Sequence, residues 1–322
     1  MRWTPICITR RRTYESPMNL PPSGLKMPTR QTCAFYVIFA VSLSGCATVP
    51  EPHPGGSDAR AIAILQQAQE TQGSQALHSL HDVNVRFEGK WNSIVARLQP
   101  VLVDDHFRGT SEERYLIRDA AVGQTHVGPS GTKYVFRDKN ETRVWYDGKE
   151  NADAEVRDAA ALVADNYRVF LLGPEFFSER SVILQYLGTE DVDGANCDNL
   201  LAQLKPGLGN SAEDRVVISI DSEHHWIRRV RITLNGLEST RGAVADVYLR
   251  DPIRIAGVLW PTNFYEELKR PFDSDVHHWR LTAIDLDRGL QRDSLEGPGF
   301  KGPATVPAGQ SVRNLKDAQK SQ

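Results

Sequence analysis

The sequence predicts a mostly β protein of the α+β class, in which an antiparallel sheet of about eleven strands is accompanied by two helices. Short segments that alternate apolar and polar residues recur between residues 83 and 284. This period of two indicates strands with one buried and one wet face, as in antiparallel sheets. Asp-Gly at 147–148 and 193–194 and Asn-Gly at 235–236 supply the positive φ that tight turns between strands need.

Local signals place the elements in chain order. Ser57 or Asp58 is the expected N-cap of a first helix, whose apolar residues have helical spacing and which ends near Gly73. In mid-chain, Ala154–Phe170 predicts an amphipathic helix, and Pro174 ends its regular continuation. Strands are predicted at Val83–Trp91, Glu113–Arg118, Lys133–Arg137, Arg143–Tyr146, Val182–Leu187, Leu200–Leu204, Val216–Ile220, Trp226–Leu234, Val244–Leu249, Val258–Phe264 and Val276–Ile284.

Residues 1–45 predict a lipoprotein signal peptide. Arg30 precedes an apolar run at 34–43, which is about ten residues long and therefore too short to cross a bilayer of roughly 30 Å. The tetrapeptide Leu-Ser-Gly-Cys at 43–46 follows at once and resembles the bacterial lipobox. Cys46 is therefore predicted to be lipidated and to become the mature N-terminus. The alternative is an ordinary secretory signal peptide that ends near a cysteine.

The rest of the chain divides into three predicted parts. Residues 46–57, rich in Pro and Gly, are a flexible tether, and residues 58–290 are of a size that one domain fills. Residues 291–322, rich in Gly, Pro, Lys and Ser, are predicted to be a disordered tail. At the other end, residues 1–26 are interpreted as an incorrectly assigned start, because Met27 would begin a compact basic region ahead of the apolar run.

Removal of the predicted signal peptide makes the chain acidic. Residues 1–45 hold six basic residues and one acidic residue, so the mature part has 32 basic and 40 acidic residues and a net charge of −8. An acidic chain argues against nucleic acid as a partner, because Lys and Arg drive that binding. It also lacks a polybasic attraction to anionic lipids, so attachment to a membrane is expected through the N-terminal acyl chains.

Four segments carry a resemblance to a known fold: 68–73 (Ala-Gln-Glu-Thr-Gln-Gly), 192–198 (Val-Asp-Gly-Ala-Asn-Cys-Asp), 226–233, and 255–262 (Ile-Ala-Gly-Val-Leu-Trp-Pro-Thr). Together with the order of elements, they resemble the outer-membrane lipoprotein carrier and receptor proteins, the LolA/LolB-like or lipoprotein-sorting-like fold. The resemblance implies that the sheet is strongly curved into an open half-barrel, whose concave face is covered by the N-terminal and mid-chain helices.

A half-barrel leaves an apolar concave face that helices cover or a ligand fills. Strand alternation and the aromatic segment after the mid-chain helix supply candidates for a hydrophobic ligand cavity. The alternative is that the same residues are core packed under the two helices. The candidates are Phe87, Trp91, Trp226, Trp260, Trp279, Phe170 and Phe176.

Catalytic motifs are few. His-His-Trp occurs at 224–226 and again at 277–279. His225 and His277 would ligate zinc in a metal-dependent hydrolase only if the sheet brought them together with a carboxylate. Adjacent strand residues face opposite sides, so a structural role is favoured, and no metal site, cofactor or catalytic residue is predicted. Cys197 stands among acidic residues and is interpreted as a semi-buried strand residue.

These observations predict an envelope lipoprotein that binds or transfers a hydrophobic ligand, such as an acyl chain, a lipid or a lipoprotein. The alternative is a non-catalytic structural or protein-interaction lipoprotein of the envelope. Ala47 follows the predicted lipidation site where an aspartate would favour retention in the inner membrane. The resemblance to sorted lipoproteins thus implies anchoring in the outer membrane, with the domain facing the periplasm.

Overall fold

The computed structural model of the protein describes residues 48–178 and 180–301. Cys46, the predicted lipidation site, and the predicted signal peptide lie outside these residues. In the part of the chain that is described, no helix has the length and apolar character needed to cross a membrane.

A single antiparallel sheet forms most of the structure. Within the described residues it has 13 strands in the order β6-β5-β4-β3-β2-β1-β15-β14-β11-β10-β9-β8-β7, and β12 and β13 form a separate hairpin. The first strand, β1, pairs with both β2 and the last strand, β15, and so joins the two halves of the chain. The strands are β1 Asp82–Trp91, β2 Thr110–Leu116, β3 Ala121–Gly128, β4 Gly131–Arg137, β5 Thr142–Tyr146, β6 Lys149–Asn151, β7 Ser181–Val192, β8 Ala195–Lys205, β9 Asp214–Asp221, β10 Ile227–Thr233, β11 Val244–Arg250, β12 Ile253–Ile255, β13 Val258–Trp260, β14 Asn263–Arg270 and β15 Ser274–Leu286.

Helices lie before the sheet, after its first strand and between its halves. Gly73 ends the first helix in a left-handed conformation that glycine adopts without strain. The side chain of Asp153 caps the long helix by accepting hydrogen bonds from the backbone N–H groups of Glu155 and Val156. The helices are α1 Ala59–Gln72, α2 Ser74–Ser79, α3 Ser93–Leu98, α4 Pro100–Val103 and α5 Ala154–Leu172, with 3₁₀ helices at Gly173–Phe177, Glu238–Thr240 and Arg292–Ser294.

Helix α5 packs in the concave face of the sheet. Its Ala160 contacts Val135 of β4 and Val144 of β5 in the first half. Its Leu162 belongs to the main apolar core together with residues of the second half such as Ile218. The two edge strands, β6 and β7, do not pair with each other, so the sheet is an open half-barrel. The predicted fold class is confirmed.

The convex face is covered at two places by the ends of the described chain. Val49 is buried against Leu201, Val217 and Val244. At the other end, residues 290–300 lie on β2–β5, where Leu290, Leu295 and Phe300 pack with Tyr134 and Trp145, among others. Packed chain therefore extends beyond residues 58–290 in both directions.

The structure differs from the predicted elements in several places. Strands β3 and β6 were not predicted, and together with the predicted strands they make the sheet 13-stranded. The segment 97–109, for which no helix or strand was predicted, contains the end of α3 and helix α4. Trp226 lies before β10 rather than in it, because His225 has a φ of 57° and ends the preceding turn.

Candidate functional site

The half-barrel has an apolar cleft between α1, the 3₁₀ helix Gly173–Phe177 and loops at the end of β11. It encloses about 340 Å³ measured to its open mouth. Its lining residues are Ala68, Gln72, Phe170, Gly173, Pro174, Trp226, Ile227, Leu249, Pro252, Leu259 and Pro261. Apart from the amide of Gln72 and the indole nitrogen of Trp226, these side chains are apolar, so the cleft suits an apolar group.

Close packing between α1 and the β12–β13 hairpin fixes one wall of the apolar cleft. A Cβ atom on Gly73 would lie 2.2 Å from the carbonyl oxygen of Gly257, so only glycine allows this approach. Arg254 donates hydrogen bonds to the carbonyl oxygens of Thr71 and Gly257, at 2.9 and 2.8 Å. The hairpin that carries Leu259 is thereby held against the C-terminal end of α1.

A second, polar cleft lies between the end of β1, the start of β15, the start of β2 and α5. It encloses about 230 Å³ measured to its open mouth. Its lining residues are Phe87, Glu88, Gly89, Trp91, Arg108, Gly109, Thr110, Ser111, His126, Tyr167, His277 and Trp279. Unlike the apolar cleft, it is lined by a guanidinium, two imidazoles, hydroxyl groups and the carboxylate of Glu88.

Burial controls the titration of the groups around the polar cleft. Burial lowers the pKa of His126 and of His277 well below the usual value, and the charge of Arg108 lowers both further. Both imidazoles are therefore neutral at pH 7. Burial also raises the pKa of Glu113, and it raises the pKa of Glu266 to about 7.

The two clefts are separated by packed aromatic rings. Phe170, which lines the apolar cleft, has its ring centroid 5.9 Å from that of Trp279 and 6.4 Å from that of Tyr167. Tyr167 and Trp279 in turn line the polar cleft.

The residues predicted to line a hydrophobic cavity have three different placements. Phe170 and Trp226 meet at the apolar cleft. Phe87, Trp91 and Trp279 meet at the polar cleft. Trp260 and Phe176 are fully buried in the main core and line neither cleft.

The histidines considered as zinc ligands lie against different elements. The ring of His225 is hydrogen-bonded to Gln67 on α1, at 2.8 Å. The ring of His277 stacks on Trp91, with centroids 3.8 Å apart. Within residues 48–178 and 180–301 no three His, Cys, Asp or Glu side chains are grouped as metal ligands would be.

Cys197 is a buried residue of β8. Burial, with a smaller contribution from the nearby charge of Asp221, raises the pKa of its thiol to about 11. The thiol is therefore protonated at neutral pH and a poor nucleophile, as its acidic sequence neighbours indicated.

Sequence reasoning missed Arg108, His126 and Tyr167. Arg108 follows two aspartates and a histidine in a segment without periodicity, which reads as a solvated loop. His126 lies on β3, the strand whose pattern was not recognised. Tyr167 lies within the predicted mid-chain helix, and nothing in the sequence shows that its hydroxyl meets Arg108 at 3.2 Å.

No protein-family model matches the chain, and no curated protein matches it. Among solved structures, it is similar to a DUF1329 family protein from Desulfovibrio piger ATCC 29098, with 14% identity and a TM-score of 0.48, covering 73% of this chain and 97% of that one. It is also similar to a LolA superfamily protein from Nitrosomonas europaea, with 14% identity and a TM-score of 0.43, over 73% and 96% of the two chains. It is similar, too, to the lipoprotein LppX of Mycobacterium tuberculosis, with 12% identity and a TM-score of 0.25, covering 71% of this chain and 98% of that one. The second of these belongs to the superfamily that the sequence resembles, and likeness at this distance assigns no activity or ligand.

Proposed function

We propose that this chain is an envelope lipoprotein whose half-barrel binds the acyl chain of a lipid or lipoprotein in the apolar cleft. The observation that carries the proposal is the lining of that cleft, which is apolar except for Gln72 and the Trp226 indole nitrogen. A polar or charged ligand would find almost no hydrogen-bonding partner there, whereas an alkyl chain would leave water without such a loss.

The size of the apolar cleft limits what it holds at rest. The space of about 340 Å³ includes open solvent at the mouth, and the enclosed part is only about 30 Å³, which is room for about two water molecules. A long acyl chain therefore needs the cleft to widen, which a movement of α1 away from the 3₁₀ helix Gly173–Phe177 would achieve. The polar contacts that such a movement would break include the hydrogen bond from Gln69 of α1 to the carbonyl oxygen of Pro174, at 3.4 Å. Ser74 and His78 of α2 also meet Glu175, at 2.5 and 2.8 Å.

The proposed membrane anchor is Cys46, lipidated after cleavage of the signal peptide, with the protein in the outer membrane and its domain in the periplasm. Val49 is buried on the convex face, and Arg215 of β9 meets Glu51 at 2.6 Å. Cys46 is three residues before Val49, and three residues of extended chain span at most about 11 Å. The proposed anchor would therefore be close to the convex face.

A role in binding a partner protein is the second candidate, and one feature favours it. Ile94 and Leu98 on α3 are 60% and 56% exposed, although both are large apolar residues. Apolar groups exposed side by side on a short helix are typical of contact surfaces. Such a surface would serve an exchange of lipoproteins as well as a purely structural contact.

The acyl-chain proposal predicts that filling the apolar cleft abolishes binding. Ala68 is fully buried in α1 and lines the cleft, so Ala68→Leu places three more carbon atoms in its space. Small changes in an apolar pocket alter affinity by about ten- to 200-fold, so hexadecanoate should bind the variant at least about tenfold more weakly in calorimetric titration. Ala63→Leu is the matched control, because Ala63 is exposed on the same helix. Circular dichroism verifies that Ala68→Leu is folded. Equal binding by both variants, or no binding by the parent protein, would contradict the proposal.

A further inference from the structure

Arg108 is a buried arginine without a carboxylate partner. Its residue surface is 7% exposed, and its guanidinium donates hydrogen bonds to the carbonyl oxygen of Leu102 at 3.3 Å and to the hydroxyl of Tyr167 at 3.2 Å. Within the described ranges, 48–178 and 180–301, no carboxylate oxygen lies within 4.0 Å of its nitrogens. Removing a guanidinium from water without an opposite charge is costly, which makes the arrangement unusual.

Other arginines of the sheet have such partners. Arg137, Arg229 and Arg231 meet carboxylate oxygens at 3.1, 2.6 and 2.6 Å. At these three positions the guanidinium has a carboxylate as its counter-charge. Arg108 instead lines the open space of the polar cleft.

Two aromatic rings hold the guanidinium in position. Its central carbon lies 4.6 Å from the centroid of the Trp91 ring and 5.6 Å from that of Tyr167. These contacts stabilise the cation, and the N–H groups of the guanidinium that Leu102, Val103 and Tyr167 do not engage remain as hydrogen-bond donors. Arg108 is therefore oriented before any ligand arrives.

Uncharged donors surround the same space. His126 and His277 line the polar cleft, are more than nine-tenths buried and are neutral, so each offers one ring N–H. The Nδ1 atom of His277 has no hydrogen-bond partner among the described residues. Of the nearby carboxyl groups, Glu88 lines the cleft and is paired with Arg280 at 3.2 Å, and Glu113 accepts hydrogen bonds from Tyr115 and Ser111. The third, Glu266, holds its proton to an unusually high pH, because burial raises its pKa to about 7.

We propose that the polar cleft is a binding site for an oxyanion, a carboxylate or a phosphate group, with Arg108 as its counter-charge and His126 and His277 as neutral donors. A guanidinium matches two oxygens of such a group at once. The site goes beyond the binding of an acyl chain and does not depend on it, since its residues line a separate cleft. Its ligand is either a free ion or the headgroup of an amphiphile.

The test is calorimetric titration of the full mature chain with sodium phosphate, sodium acetate and dodecyl phosphate at constant ionic strength. At least one probe should bind, and Arg108→Met should weaken it at least about tenfold, as expected for loss of a charged hydrogen-bond donor. Arg231→Met is the matched control, because it removes a paired arginine on the convex face and should leave anion binding unchanged. Phosphate binding as tight as that of dodecyl phosphate identifies a free ion, whereas binding of dodecyl phosphate alone identifies a headgroup.

Thermal unfolding separates a binding role from a structural one. Arg108→Met removes an unpaired buried charge, so its melting temperature should be unchanged or raised, whereas Arg231→Met should melt lower. Arg108→Lys keeps the charge without the two-pronged donor and should bind the same probe with intermediate affinity, which keeps the test valid even if the methionine variant misfolds. Anion binding that is the same in parent and Arg108 variants, or absent for all three probes, would overturn the proposal.

Discussion

Replacing Asp165 by alanine is expected to lower the free energy of unfolding by about 3–5 kcal/mol, the cost of breaking a buried ion pair from one side. Asp165 is 1% exposed on α5, and its carboxylate meets Arg137 at 3.1 Å and Arg180 at 3.4 Å. It also accepts a hydrogen bond from the backbone N–H of Gly209, at 2.9 Å.

The size of the effect follows from what Asp165 connects. Arg137 belongs to β4 in the first half of the sheet, whereas Gly209 follows β8 in the second half. One carboxylate on α5 therefore holds the helix to both halves of the half-barrel. Its loss leaves the buried guanidinium of Arg137 without the carboxylate that it pairs with, in a place where water does not replace it.

Urea unfolding followed by circular dichroism measures this change. Glu155→Ala is the control, because Glu155 is an exposed carboxylate in the first turn of the same helix and should cost about 1 kcal/mol or less. A loss for Asp165→Ala no larger than that of the control would show that α5 is held by apolar packing alone.

The second large effect is expected for Trp279→Ala, which should cost about 3–5 kcal/mol. The Trp279 ring is stacked on Phe264 with centroids 5.0 Å apart and an angle of 5° between the planes. It also contacts Tyr167 and Phe170 of α5, at 5.4 and 5.9 Å. Removing it leaves a void at the point where helix and sheet meet.

Trp226→Ala is the comparison that separates packing from binding. Trp226 is half-buried at the edge of the apolar cleft, so its removal should cost less than half as much stability in the same urea titration. Equal losses of stability in the two variants would show that Trp226 belongs to the packed core and not to the wall of the apolar cleft. The pair thus distinguishes two residues that the strand pattern alone treated alike.

Much of the fold could be predicted from local patterns. The limits of α1 follow from helical spacing and from Gly73, and the alternation in β1 gives its buried face. Strand β3 was missed because its inward side chains include Gln124 and His126, so polar residues occupy positions where apolar ones signal a strand. His126 thus both lines the polar cleft and hides the strand pattern of β3.

The candidate sites were harder to predict than the fold. Alternation shows which residues face inward, and it placed Phe87 and Trp279 correctly on the covered face. Whether such residues end in a packed core or in a cleft depends on how completely α5 fills the concave face, which no local pattern encodes. Arg108 could not be found at all, because a buried charge without a partner resembles an ordinary surface charge in the sequence.

The most direct test of acyl-chain binding is quenching of tryptophan fluorescence by brominated hexadecanoate. Bromine quenches only nearby rings, and Trp226 is the tryptophan that lines the apolar cleft. Saturable quenching is expected for the parent protein, and most of it should disappear in the variant Trp226→Phe. Quenching that is absent, or that is equally strong in Trp226→Phe, would contradict the binding of an acyl chain in the apolar cleft.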